Sequence, residues 1–138
     1  MKKFFLYIVT MLLIPVFLVG CRSSSDGEIS SAEISKVSIS NSNEIGNINT
    51  DFFMVYEDEE VLEVFQDIFR SAVKQEGIVD ISEPDFDLEV TYEEGNKGEY
   101  HLWLGEKDQN STLMNSEDTH TIYSISEEAT NQLINLIN

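Results

Sequence analysis

Two runs of strict alternation between apolar and polar residues, joined by a turn, constrain the fold of this chain more than any other feature. The runs cover residues 86–92 (FDLEVTY) and 100–104 (YHLWL), and the sequence between them includes EGNKG. A period of two is that of a β-strand with one buried face, and the Gly and Asn residues favour a tight turn. We therefore predict an antiparallel hairpin. Its apolar face carries Phe86, Leu88, Val90, Tyr100, Leu102 and Leu104.

An amphipathic helix is predicted ahead of this hairpin. Apolar residues recur there at the helical period, so that they form one continuous stripe. The stripe consists of Val61, Leu62, Phe65, Ile68, Phe69, Ala72 and Val73. Asp58 can cap the start, and Glu59 and Glu60 lie where the helix dipole favours anions. Lys74 in the last turn and Gly77 just beyond it are typical of a helix end.

The remaining elements are predicted from shorter signals. Extended segments are indicated at 36–40, 52–56, 113–114 and 119–125, and Asn-rich residues 41–50 read as a loop. Ser126 can cap a second amphipathic helix that runs toward the end of the chain. This order predicts one α+β domain over residues 36–138. We expect an antiparallel sheet of about four to six strands with two amphipathic helices packed on one face.

The opposite face of the predicted hairpin is where a binding site would lie. It carries Asp87, Glu89, His101 and Trp103, and His120 lies on a neighbouring strand candidate. An antiparallel sheet can leave one face in water, which would expose Trp103 as part of a binding face. Alternatively, residues 41–56 cover this face and Trp103 belongs to the core. The sequence leaves both alternatives open.

The charge balance limits the partners of the domain. The chain has 26 acidic and 8 basic residues, for a net charge of −18, and every acidic residue follows Gly20. Such a surface repels nucleic acids and anionic lipid headgroups. We expect no nucleic-acid partner, whereas a cationic partner or divalent ions of a cell wall would be compatible with this charge.

No catalytic set is evident. The sequence lacks GxSxG, a glycine-rich phosphate loop, HExxH and paired CxxC motifs. We therefore predict no enzyme activity, no catalytic residue, no cofactor and no metal site. The alternative is a small hydrolase or metal-binding protein that uses His101 and His120, with Asp118 and Glu99 nearby.

The first 20 residues have the pattern of an export signal. Lys2 and Lys3 form a basic start, and an apolar run of 16 residues, interrupted by Thr10 and Pro15, follows from Phe4 to Val19. A membrane-spanning helix takes roughly 17 apolar residues or more, so this run is short for a span. It favours a signal peptide over residues 1–20.

The residues LVGC at 18–21 resemble the lipobox of bacterial lipoproteins, in which a small residue precedes an invariant cysteine. The resemblance implies cleavage after Gly20 and diacylglycerol on the sulfur of Cys21, the single cysteine of the chain. Two or three acyl chains make a stable anchor. We expect the protein at the cell membrane, anchored on the extracytoplasmic side, with Ser-rich residues 21–35 as a tether. Its partners would be the membrane and an envelope protein or wall component; the sequence does not determine the oligomeric state.

Three blocks of sequence carry a resemblance to a family. GIVDISEPDFDLEV, EYHLWLGEKDQNSTLM and EDTHTIYSIS are similar to the YhfM-like lipoproteins of Bacillus and related bacteria. The similarity runs from about Lys36 to Asn138, besides the lipobox. It implies a cell-envelope lipoprotein of a Gram-positive source and transfers no catalytic residue. We expect a non-enzymatic binding or accessory module.

Overall fold

The computed structural model describes residues 29–76 and 81–138. The strands of this part of the chain are β1 (Ile34–Asn41), β2 (Met54–Tyr56), β3 (Val73–Gln75), β4 (Phe86–Tyr92), β5 (Lys97–Trp103), β6 (Ser111–Asn115) and β7 (Ile122–Ile125). The helices are α1 (Glu59–Ser71) and α2 (Glu127–Ile137). Neither helix is long and apolar enough to cross a membrane. The predicted signal peptide and Cys21 lie outside the described residues.

The strands form one antiparallel sheet in the order β2-β1-β4-β5-β6-β7-β3. The predicted hairpin is confirmed as β4 and β5, with Leu88 opposite Tyr100. The predicted α+β class is also confirmed, although the seven strands exceed the four to six expected. Strand β2 lies within the extended segment predicted at 52–56. Strand β3 was not predicted, because it has only three residues and follows directly on a helical pattern.

Strand β1 begins at Ile34, two residues before the predicted start of the domain. The side chain of Ile34 is only 7% exposed. Its backbone N–H donates to Oε1 of Gln66 on α1 at 2.8 Å, and the side-chain amide of Gln66 donates to the Ala32 carbonyl at 3.1 Å. Gln66 thus fixes the chain ahead of β1 against α1.

The start of helix α1 follows the prediction, but its end does not. The Asp58 side chain caps the helix by accepting from the Glu60 N–H at 3.1 Å. The helix stops at Ser71, and Ala72 is extended with φ −63° and ψ 134°. The prediction that Lys74 lies in the last turn was wrong. Residues 73–75 pair with β7, so sheet hydrogen bonds replace those of another helical turn.

Both helices pack on the same face of the sheet, as predicted. The Phe69 ring of α1 meets the Tyr100 ring edge-on at 5.1 Å between centroids. On α2, the Thr130 hydroxyl hydrogen-bonds to the Ser111 hydroxyl at 2.8 Å. One continuous core results. Its helical residues are Leu62, Phe65, Ile68, Phe69, Ala129, Leu133 and Ile137, and its largest sheet residues include Ile39, Leu88, Tyr92, Tyr100, Leu102, Leu113 and Ile125.

A buried pair of tyrosines lies within this core. The hydroxyls of Tyr92 and Tyr100 hydrogen-bond at 2.8 Å, and burial raises the pKa of both phenols. Gly98 lies beneath the Tyr100 ring, where a Cβ atom would be 2.8 Å from ring atoms. A larger residue at position 98 would therefore require the Tyr100 ring to shift.

Candidate functional site

The second face of the sheet holds a buried aspartate–histidine pair. Asp87 on β4 and His101 on β5 are directly opposite each other in the strand register. The Asp87 Oδ1 and His101 Nδ1 atoms are 2.7 Å apart, and both side chains are 0% exposed. The alternation that turns Leu88 and Leu102 toward the helices turns these two residues to the opposite side.

The loop between β1 and β2 buries this pair. We refer to residues Ser42–Phe53 as the covering loop. The Gly46 N–H donates to Nε2 of His101 at 2.9 Å, and the Asn49 N–H donates to Oδ2 of Asp87 at 2.8 Å. The Ser40 hydroxyl on β1 donates to the Asn49 carbonyl. Polar side chains of the sheet thus hold the loop by its backbone.

These contacts define the hydrogen-bonding state of the imidazole. Because Nε2 accepts from the Gly46 N–H, it carries a lone pair and no proton. The proton is therefore on Nδ1, which donates to Asp87. The second carboxylate oxygen accepts from Asn49, so both polar groups have their partners.

The same arrangement defines what the pair can do chemically. An aspartate that accepts from Nδ1 orients an imidazole with its Nε2 lone pair available, as in a general base. Here that lone pair is engaged by Gly46 and lies under the covering loop. In this conformation the pair fastens the loop to the sheet.

The residues of the predicted binding face are therefore divided between the interior and the surface. Of the two alternatives that the sequence left open, the covered face is the one found for Asp87 and His101, because the covering loop buries them. Glu89 is largely buried, and its Oε1 accepts from Nζ of Lys97 at 2.8 Å. Trp103 is half-buried: its indole N–H donates to the Ser82 carbonyl at 2.8 Å, and its ring centroid is 6.4 Å from that of His101.

His120 is separate from this pair. It is exposed in the turn before β7, whereas His101 is buried on β5, and its backbone N–H donates to Oδ1 of Asp118 at 3.2 Å. The hydroxyl of Thr121, followed by smaller contributions that include the His120 N–H, lowers the pKa of Asp118. Glu99 instead accepts from the Ser116 hydroxyl at 3.4 Å. The structure does not bring the two histidines into one site.

Within residues 29–76 and 81–138, no three or more His, Cys, Asp or Glu side chains are placed to hold a metal ion. An open cleft of about 480 Å³ beside α1 gathers acidic residues. Those lining it are Glu33, Glu57, Glu59, Glu63, Asp67 and Glu93, together with Arg70. Glu59, at the start of helix α1, thus also lines this cleft.

Three residues that hold the covering loop near the Asp87–His101 pair could not be identified from the sequence. Gly46 and Asn49 contribute backbone N–H groups, which leave no side-chain signature. Ser40 is fully buried and contributes its hydroxyl. The Asn- and Ser-rich composition indicates a loop at residues 41–50, but it does not reveal where the loop lies.

The family of the chain follows from a comparison of its sequence. The sequence model of the YhfM protein family matches residues 30–138. The chain belongs to the YhfM family. The match begins just ahead of β1 and includes α1, the covering loop, the Asp87–His101 pair and α2. The expected family resemblance is thus confirmed, and comparison with curated proteins gives no match.

One solved structure shares the fold of this YhfM family member. It is the crystal structure of a thioesterase-like protein from Clostridium sporogenes, with a TM-score of 0.58 and 21% sequence identity. The similarity covers 79% of this chain and 96% of the other. At this identity the comparison shows a common fold.

Proposed function

We propose that this protein is a lipid-anchored protein of the cell envelope. The observation that carries the proposal is the single cysteine, Cys21, placed directly after Leu18-Val19-Gly20 at the end of an apolar leader. A thiol forms the thioether to diacylglycerol, and a small residue ahead of it admits the peptidase. Two or three acyl chains would hold the domain at the extracytoplasmic side of the cell membrane.

We further propose that the folded domain is a non-enzymatic binding or accessory module. In the described residues, the polar side-chain atoms of the buried Asp87–His101 pair are all hydrogen-bonded to other groups of the protein. A partner approaching this side would meet the covering loop and Trp103, since Asp87 and His101 are buried beneath the loop. The partner class is an envelope protein or a wall component.

Mass spectrometry of the membrane fraction tests the anchor. We expect a mature chain that begins at Cys21 and carries diacylglycerol, and a Cys21→Ala variant that lacks the lipid and retains residues 1–20. A mature chain that begins at another residue, or a Cys21 without lipid, would refute this proposal. A Ser23→Ala variant is the matched control and should be processed normally.

A photo-cross-linking experiment tests the binding module. A cross-linkable amino acid placed at exposed Ile45 of the covering loop should yield a defined adduct on intact cells. The same group at exposed Lys107, on the β5–β6 connection, is the control. Equal adducts at both positions would show that the covering loop has no specific partner.

A small hydrolase is the second candidate, because the Asp87–His101 hydrogen bond matches that of a general base. The thioesterase-like description of the fold relative suggests thioesters as the first substrates to assay. Activity on a small acyl thioester that disappears in His101→Gln, but persists in His120→Gln, would support this candidate. Equal rates in all three proteins would eliminate His101 as a base for this reaction.

A further inference from the structure

The chain enters the fold at the end of α1, next to a shallow pocket. Residues 29–31 line this pocket of about 290 Å³ together with Phe69, Arg70, Ala72, Lys74 and Tyr123. Contacts of the Ser30 side chain with Tyr92 and of its backbone with Tyr100 oppose the rise in pKa of the two phenols. Any segment that precedes Ile29 must therefore leave the domain beside this pocket, which we call the entry pocket.

Basic residues are concentrated at the entry pocket. The described residues include 23 acidic side chains and only five basic ones. The five are Lys36, Arg70, Lys74, Lys97 and Lys107. Two of them, Arg70 and Lys74, line the entry pocket. An acidic domain thus places two exposed cations at the point where its N-terminal segment enters.

Arg70 also lines the acidic cleft described above, and its ion pair with Glu33 is weak. Arg70 lies 3.8 Å from Glu33, but the two side chains are 49% and 79% exposed. Exposed pairs of this kind contribute little. The charge of Lys74 is the smallest of the effects that lower the pKa of Asp118, after the Thr121 hydroxyl and the His120 contacts. Lys97, by comparison, is held by Glu89 at 2.8 Å.

The chain length outside the described residues limits how far this surface can be from a membrane. Ile29 is eight residues after Cys21. Eight residues reach at most about 29 Å when fully extended. With the lipid on Cys21, as proposed above, the entry pocket is therefore held close to the bilayer, and the inference rests on that proposed anchor.

We propose that Arg70 and Lys74 at the entry pocket bind the phosphates of anionic phospholipids in the bilayer to which the protein is anchored. Guanidinium and ammonium groups both bind phosphate, the former with two parallel hydrogen bonds. The acidic remainder of the domain is repelled by the same surface. The domain is thereby oriented with the entry pocket toward the membrane.

Hydrogen exchange of the full, acylated chain on vesicles tests this orientation. The vesicles contain phosphatidylcholine alone or phosphatidylcholine with phosphatidylglycerol. Each cation near an anionic surface increases the bound population by a factor of about five. We expect backbone exchange in residues 69–76 to slow at least about fivefold on vesicles that contain phosphatidylglycerol, relative to phosphatidylcholine alone.

Charge-reversal variants show which cations are responsible. In Arg70→Glu/Lys74→Glu the lipid-dependent slowing should disappear, and it should persist in the control Lys36→Glu/Lys107→Glu, which has the same net charge. Circular dichroism establishes that each variant is folded. Equal exchange on both vesicle types, or the same slowing in the first variant, would overturn the proposal.

Flotation of the vesicles separates this proposal from the proposed anchor. The acylated chain should float on both vesicle types, and a chain that begins at residue 22 should not. Flotation without lipid-dependent slowing refutes only the orientation of the entry pocket. Failure of the wild-type chain to float on either vesicle type refutes the anchor and the orientation together.

Discussion

The hydrogen bonds of Asp87 predict a large effect for a nearly isosteric substitution, Asp87→Asn. The carboxylate accepts from Nδ1 of His101 and from the Asn49 N–H. A carboxamide has one acceptor oxygen and one NH₂ donor. If its oxygen faces His101, its NH₂ group meets the Asn49 N–H; if it is flipped, its NH₂ group meets the Nδ1 proton. Either orientation places two donors against each other.

The expected destabilisation follows from the burial of this pair. One hydrogen bond to a charged group is lost, at about 1.5–3 kcal/mol, and one buried N–H is left without an acceptor, at about 1–3 kcal/mol. Removing a buried charge offsets part of this loss. We expect Asp87→Asn to lower the free energy of unfolding by about 3 kcal/mol, or the melting temperature by about 12 °C for a domain of this size.

Urea unfolding followed by circular dichroism measures this change. Asp51→Asn is the matched control, since it makes the same chemical change at an exposed residue of the covering loop, and it should change stability by less than about 0.5 kcal/mol. Hydrogen exchange should also show faster exchange at the Asn49 amide in Asp87→Asn. An Asp87→Asn protein as stable as the wild type would refute the reasoning that the pair fastens the loop.

Three further outcomes are expected. Gly98→Ala should lower the free energy of unfolding, measured in urea, by about 1–3 kcal/mol. The added Cβ would lie 2.8 Å from the Tyr100 side chain, which is buried and hydrogen-bonded to Tyr92 and therefore cannot easily move aside. An unchanged unfolding midpoint would contradict this contact. Trp103→Phe should lower the free energy of unfolding by about 1 kcal/mol in the same assay, because the hydrogen bond to the Ser82 carbonyl is lost. An unchanged free energy of unfolding would show that this hydrogen bond does not contribute to stability. Because burial raises the pKa of Tyr92 and Tyr100, their contribution to stability is complete below the unfolded value of about 10 and is lost as the pH rises above it. The free energy of unfolding should therefore fall more steeply between neutral and strongly alkaline pH in the wild type than in Tyr92→Phe/Tyr100→Phe, and equal slopes would contradict this.

The parts of the fold that could be predicted are those with their own periodic signal. Residues 86–92 and 100–104 alternate cleanly and form β4 and β5. The helical stripe gives α1, and the caps at Asp58 and Ser126 are found as predicted. In each case the same residues that give the pattern also bury the apolar face, so local and tertiary preferences agree.

The parts that could not be predicted depend on contacts between distant residues. Val73 and Lys74 continue a helical pattern, but pairing with β7 makes them a strand. The covering loop is attached to Asp87 and His101 through backbone N–H groups, which every residue except proline carries. The sequence could therefore identify the two side chains, whereas their burial became visible only in the folded chain.

The short outer strands of the sheet have a consequence for self-association. An open sheet presents unpaired backbone groups at both edges, and long exposed edges are templates for aggregation. Here the edge strands β2 and β3 have three residues each, and β3 places Lys74 in the middle of its edge. A protein concentrated on a two-dimensional surface would be especially prone to edge-to-edge pairing, so edges this short and, at β3, charged favour a domain that stays separate from its neighbours.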